Sequence, residues 1–158
     1  MFKIATSAPA IVQVKTAAGV AEINVAFRWL PASERLAAIE QRDREIVAIQ
    51  DRHAALVKAR ELAAKREAEA PGEAPEEAQA EIDASLEFAS ERTRRMTLIN
   101  AALIVALLES WDLKQVDGAA VPVEVESVAQ VLDLLPGLFG ILQDAAVKAT
   151  SIEAVEKN

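Results

Sequence analysis

The chain has 158 residues, no cysteine and a formal charge of −8. That excludes disulfides, thiolate nucleophiles and Cys-based zinc sites. It also argues against bulk nucleic-acid binding, which needs a positive field to displace counterions from phosphates.

Apolar residues make up 52% of the chain, but Ala supplies much of that share and the aromatics are only four Phe and two Trp. Ala raises helix propensity more than it fills a core. A single domain over 1–158 is expected, of α+β class and mainly α. It should hold an N-terminal β-hairpin packed on a helical core, with a long antiparallel helical hairpin. Met1-Phe2-Lys3-Ile4 is followed by no long apolar run, so no secretory leader is expected.

Residues 10–29 read as the β-hairpin. Ile23, Val25, Phe27 and Trp29 alternate with Glu22, Asn24, Ala26 and Arg28, a period of two with one apolar face. Val12 and Val14 alternate more weakly in a first strand, and Gly19 can supply a positive φ between the two. An isolated hairpin is marginal in water, so its apolar face must be covered.

A helical hairpin is expected over 33–110. Ser33 is a candidate N-cap, with Glu34 near the positive end of the helix dipole. Nothing breaks the helix before Pro71-Gly72, so it is expected over 33 to about 68, a length of roughly 54 Å at 1.5 Å per residue. Its apolar stripe of Leu36, Ile39, Ile46, Val47, Ala54 and Val57 is thin and is interrupted by Asp43 and Gln50. Residues 69–76 hold two Pro, one Gly and three Glu, which predicts a solvated turn.

A second helix is predicted from Glu76 to about Ser110. Its first half has a narrow stripe, and residues 98–108 are apolar all round except for Asn100. That run is too short for a bilayer, which needs about 20 apolar residues, and reads as a buried helix.

The segment 111–150 reads as a turn and two short helices. Asp117-Gly118 is a turn signal and Val121-Pro122-Val123 is extended. The first short helix begins either at a capping box formed by Ser127 and Gln130 or at Glu124. Leu138, Ile141, Leu142, Ala145 and Ala149 form the stripe of the last helix, with Pro136 near its first turn. The polar tail beyond Thr150 is expected to fray.

No constellation for catalysis, cofactor or metal binding is evident. His53 stands alone, without the ligands of a zinc site or the partners of a triad, and reads as a solvent-facing helix residue. Glu124 with Glu126, or Asp112 with Asp117, are acid pairs of the kind common in any acidic chain. Arg92, Arg94 and Arg95 read first as partners of nearby acids such as Glu87 and Glu91, and second as a contact for an acidic partner.

Trp111 reads first as a core plug and second as an interface anchor. Phe139 sits beside the Leu138–Leu142 stripe and points partly outward if that stripe packs inward. Trp111, Leu138, Phe139 and Leu142 are therefore the candidate partner-binding residues. Phe27, Trp29, Leu103, Leu107, Trp111, Leu132 and Leu142 are expected to cluster in the core.

Two stretches resemble phage tail assembly chaperones. One is 22–36, an amphipathic strand ending in Phe27-Arg28-Trp29-Leu30 that runs into a helix with an acidic start. The other is 103–149, with a helix running to Trp111, the turn at Gly118, Pro122, and two short helices split at Pro136. The middle, about 45–95, departs from the shorter members of that family and looks like an elongated helical hairpin.

The resemblance implies a non-enzymatic protein of the host bacterial cytoplasm, without a cofactor and absent from the finished virion. Such proteins keep the tape measure protein soluble and help bring tail tube protein to it. It implies neither a nucleic-acid nor a membrane partner, and homo-oligomers are compatible with it. The alternative reading is a structural or adaptor tail protein that forms a homo-oligomer and stays in the particle.

Overall fold

A computed structural model describes residues 7–70, 72, 76–135 and 137–150, without the side chains of 77 and 78. The readings of Met1 to Ile4, Pro71, Pro75, Pro136 and the tail beyond Thr150 lie outside the described residues. The fold is α+β and mainly α, with a three-stranded antiparallel sheet and four helices. Two compact units are distinct: Met1–Arg42 with Thr97–Asn158, and Asp43–Met96.

In the first unit, β1 (Ser7–Thr16) and β2 (Gly19–Arg28) form the expected hairpin, which starts three residues earlier than its alternation suggests. The connection is Ala17-Ala18. Among the described residues only glycines have positive φ, and here Gly19, at +125°, takes the backbone conformation that an L side chain would resist. Thr16 braces the turn: its Oγ1 donates to the Gly19 carbonyl at 2.9 Å and accepts from the Ala18 N–H at 3.3 Å. Val12, Val14, Ile23, Val25 and Phe27 are buried on one face, as alternation requires.

Trp29 departs from expectation. It lies beyond the end of β2, only half-buried, and is not part of the core cluster. Once the strand ends, its period of two no longer governs where a side chain points.

The helix α1 spans Ala32–Glu69. It begins before Ser33, because the Pro31 carbonyl accepts the N–H groups of Glu34 and Arg35, both at 3.0 Å. Ser33 thus sits inside the first turn and is not the N-cap.

The second helix, α2, spans Glu76–Leu107 and stops short of Ser110. Leu108–Trp111 is a third strand, β3, paired antiparallel to β2. It satisfies the outer edge of β2, whose N–H and C=O groups would otherwise lack partners beside the core. The pairing sets Phe27 opposite Leu108, Ala26 opposite Ser110 and Val25 opposite Trp111, so Glu109 is an extra residue in a β-bulge. Three apart in a regular strand means opposite faces. The bulge instead turns both Leu108 and Trp111 toward the core.

The short helices are α3 (Val125–Leu134) and α4 (Leu138–Ala149). Glu124 is the N-cap of α3, and no side chain caps it, so the Ser127–Gln130 box is not used. Gly137, at φ +90°, precedes α4.

The core joins the inner sheet face to Ala101, Leu103, Ile104 and Leu107 of α2, to Leu108, to Val128 and Ala129 of α3, and to Leu138, Leu142 and Ala146 of α4. Trp111 and Leu132 pack on it while partly exposed. Arg35 ties α1 to the end of α4 by donating to the Thr150 hydroxyl, which itself donates to the Ala146 carbonyl at 2.6 Å. A cation at a helix C-terminus is favourable against the dipole.

Asn100, the polar residue of the apolar run, accepts from Arg42 Nε at 2.9 Å. The same guanidinium lies 5.1 Å from the centre of the Phe139 ring.

In the second unit, residues 43–69 of α1 and 76–96 of α2 are linked by Arg52, which stacks on Phe88 at 4.9 Å. Arg95 covers the same ring at 5.2 Å and pairs with Glu91 one turn earlier, the local ion pairing expected of the arginine cluster. Ile46, Ala63, Phe88 and Ser85 are buried here, while Val47, Leu62 and Leu86 are exposed. Among the described residues, no single helix is long and apolar enough to cross a membrane.

Candidate protein-binding groove

The chain leaves β3 at Trp111 and makes a tight excursion before α3. Gln115 donates to the Ala119 carbonyl at 2.7 Å, Gly118 to that of Gln115 at 2.9 Å, and Val121 to that of Leu113 at 2.9 Å. Lys114 and Ala120 form an isolated antiparallel bridge. The Asp117-Gly118 turn closes this excursion. Asp117 Oδ1 accepts the Ala119 N–H at 2.9 Å, and Gly118 adopts φ +86°.

Trp111 locks the base of the loop. Its indole N–H donates to the Val121 carbonyl at 2.8 Å while its ring packs on the core. The loop is thereby held beside α3.

Between loop and helix lies a half-open groove of about 780 Å³, lined by residues of 113–117 and 121 and by Ser127, Gln130, Val131, Leu134 and Leu135. The residues from the α3 side follow i, i+3, i+4, i+7 and i+8, which is one ridge of a helix. The opposite face of α3, with Val128 and Ala129, is buried in the core. This helix is therefore apolar on two sides, one buried in the core and one only partly covered, with Leu134 exposed.

Leu113, Val131 and Leu135 pack on the core from the groove floor, while Val116 is fully exposed and Leu134 is 78% exposed. Exposed leucines occur singly on many surfaces, but a concave apolar patch with exposed rims marks a contact site.

The carboxylates nearby have local structural roles. Asp112 receives the Asn24 backbone N–H at 3.0 Å and the Asn24 side-chain amide at 2.5 Å. The side-chain hydrogen bond from Asn24 holds its carboxyl below the usual aspartate range, while desolvation opposes that shift. Asp133 accepts from the Thr97 hydroxyl at 3.0 Å. No group of three or more His, Cys, Asp and Glu suited to a metal occurs among the described residues.

The sequence-derived candidates are placed differently from the groove. Leu138 and Leu142 have no exposed surface and belong to the core, so they are not partner-binding residues. Phe139 is half-buried beneath Arg42. Trp111 is half-buried and acts on the groove indirectly, by fixing Val121.

Leu113, Val116, Val121, Val131 and Leu134 were not among the partner-binding residues expected from the sequence. One available signal was the helical wheel of α3, where Val131 and Leu134 fall off the side defined by Val128 and Ala129. In comparisons with protein-family models, curated proteins and solved structures, nothing matches this chain.

Proposed function

We propose that this chain is a non-enzymatic assembly chaperone of a long-tailed phage. It binds the tape measure protein in the bacterial cytoplasm, helps tail tube subunits assemble on it, and is left out of the finished virion. The observation that carries the reading is the groove between the 113–121 loop and α3, an apolar surface within the stretch 103–149 whose sequence resembles that chaperone family, although Trp111 there ends strand β3 and not a helix. A long, partly apolar helical client needs such a surface, because an amphipathic helix is recognised by laying its apolar side in a groove. The acidic exterior keeps the chaperone dispersed while it presents that apolar surface.

The test is co-expression with the tape measure protein of the same genome, followed by co-purification and a search for the chain in purified virions. A stable complex and a raised soluble yield of the client are expected, with the chain absent from virions. No complex would end the reading. Stoichiometric presence in mature particles would replace it with that of a structural or adaptor tail protein.

A further inference from the structure

We propose that the groove takes one amphipathic helix, carrying an apolar stripe flanked by Lys or Arg. This rests on the protein-binding reading and specifies the chemistry of what is bound.

The helical form follows from the wall. The exposed ridge of α3, from Ser127 through Val131 to Leu134, has the spacing into which the side chains of a second helix interdigitate, at 8–10 Å between axes. The loop wall supplies Leu113, Val116 and Val121 from the other side. The floor is apolar, so the occupant's inward positions must be apolar as well.

The flanking charge follows from the groove's surroundings. The charged residues that line the groove are Lys114 and Asp117, while Glu126 and Asp133 are exposed on α3 outside that lining, each about one turn from Gln130, and Asp133 also accepts from the Thr97 hydroxyl. Glu109, Asp112, Asp117 and Glu124 lie on the elements that lead into it, and Lys114 is the sole basic residue of 108–135. An occupant with acidic flanks would meet like charge on entry, and one with basic flanks would be steered in. A second copy that met the groove with its own 108–135 segment would bring like charge, so the proposed partner is a different and more basic protein.

The test uses the full chain and three synthetic peptides of about 18 residues, five helical turns. One has a Leu stripe flanked by Lys, one the same stripe flanked by Glu, and one the Lys peptide's composition scrambled. Binding is followed by titration calorimetry, and circular dichroism checks that each variant stays folded.

The Lys-flanked stripe should bind, the scrambled peptide should not, and the Glu-flanked stripe should bind more weakly. Leu134→Asp, at an exposed position, should weaken binding about tenfold or more with helicity unchanged. The paired Glu126→Gln and Asp133→Asn variant should lower affinity for the Lys peptide and narrow its advantage over the Glu peptide.

Equal binding of the scrambled peptide would reduce the effect to bulk charge and overturn the proposal. So would unchanged binding by Leu134→Asp, or no preference between flanks. Concentration-dependent dimerisation abolished by Leu134→Asp would assign the groove to a second copy instead. Capture of the tape measure protein that survives in Leu134→Asp, with no peptide binding, would remove the groove while leaving the chaperone reading standing. Peptide binding without tape measure capture would do the reverse.

Discussion

Asp112 grips Asn24 across the sheet edge: its two carboxylate oxygens accept the backbone and side-chain N–H groups of Asn24, and its own N–H returns to the Asn24 carbonyl at 3.1 Å. The carboxylate thus continues the β2–β3 ladder one step past the last backbone pair, Val25 with Trp111.

This grip predicts a pH dependence. The folded state holds the Asp112 carboxyl below its ordinary value, chiefly through the Asn24 side chain, so the unfolded chain binds more protons between the two values. The contribution is fully present above the unfolded value of about 3.9 and fades as pH falls through the folded one. Wild type should melt above Asp112→Asn at pH 6, with the gap closing below about pH 4. Thermal melts across that range measure it, and a gap that did not change with pH would disprove the linkage. The effect should be small, because the pair is exposed and solvent screens it.

Trp111 contributes both apolar contact and a hydrogen bond. Because it is half-buried, Trp111→Ala should cost about 2–3 kcal/mol, less than a fully buried aromatic. Trp111→Phe keeps most of the ring contact but leaves the Val121 carbonyl without its donor, at about 1 kcal/mol. Urea unfolding of both variants gives the split. Equal losses would show that the hydrogen bond carries the whole effect.

Much of this fold is legible in the sequence. Alternation through Ile23, Val25 and Phe27 gives the hairpin, and the Pro/Gly/Glu cluster at 69–76 places the break between α1 and α2. Strand β3 is not legible, for a specific reason. Ile104, Leu107, Leu108 and Trp111 follow i, i+3, i+4 and i+7, which is the signature of one continuing helix. The bulge at Glu109 lets a strand present Leu108 and Trp111 at that same spacing. The groove is hidden for a different reason: its walls meet only after Trp111 pins Val121, a contact that no local pattern encodes.

Deleting Glu109 tests the bulge directly. Without the extra residue Leu108 and Trp111 stand two apart, which keeps both on one face of a regular strand. The deletion should therefore preserve the sheet and cost well below the loss of a buried Leu, about 2–5 kcal/mol. Glu109→Ala keeps the residue count and should cost under about 0.5 kcal/mol, since the side chain is exposed. Urea unfolding measures both, and a deletion loss in the range of a buried Leu would mean that the extra residue itself is needed to hold the strand.

The core cluster and the hydrophobics packed on it all come from outside 43–96. Replacing 58–88 with a short Gly/Ser loop should therefore leave a cooperatively melting protein. Calorimetry should show one transition within about 5 °C of wild type, the shift expected for roughly 1 kcal/mol in a domain of this size. Loss of the transition would make the second unit integral to the first.

Asn24 and Asp112 are 88 positions apart, so closing the sheet is the slowest kind of contact for a chain to find. The strands β1 and β2, and the helices α1 and α2, are by contrast separated by only a few residues each. If the helices zip first, the loop that β3 must close is cut to a fraction of its contour length, and each halving saves about 0.6 kcal/mol of closure entropy. The long helices would then act as a kinetic shortcut between the two ends of the core. Lengthening the 70–75 connection with a Gly/Ser insertion should slow refolding in stopped-flow experiments while leaving unfolding nearly unchanged. An unaltered refolding rate would mean that the sheet forms without waiting for the helices.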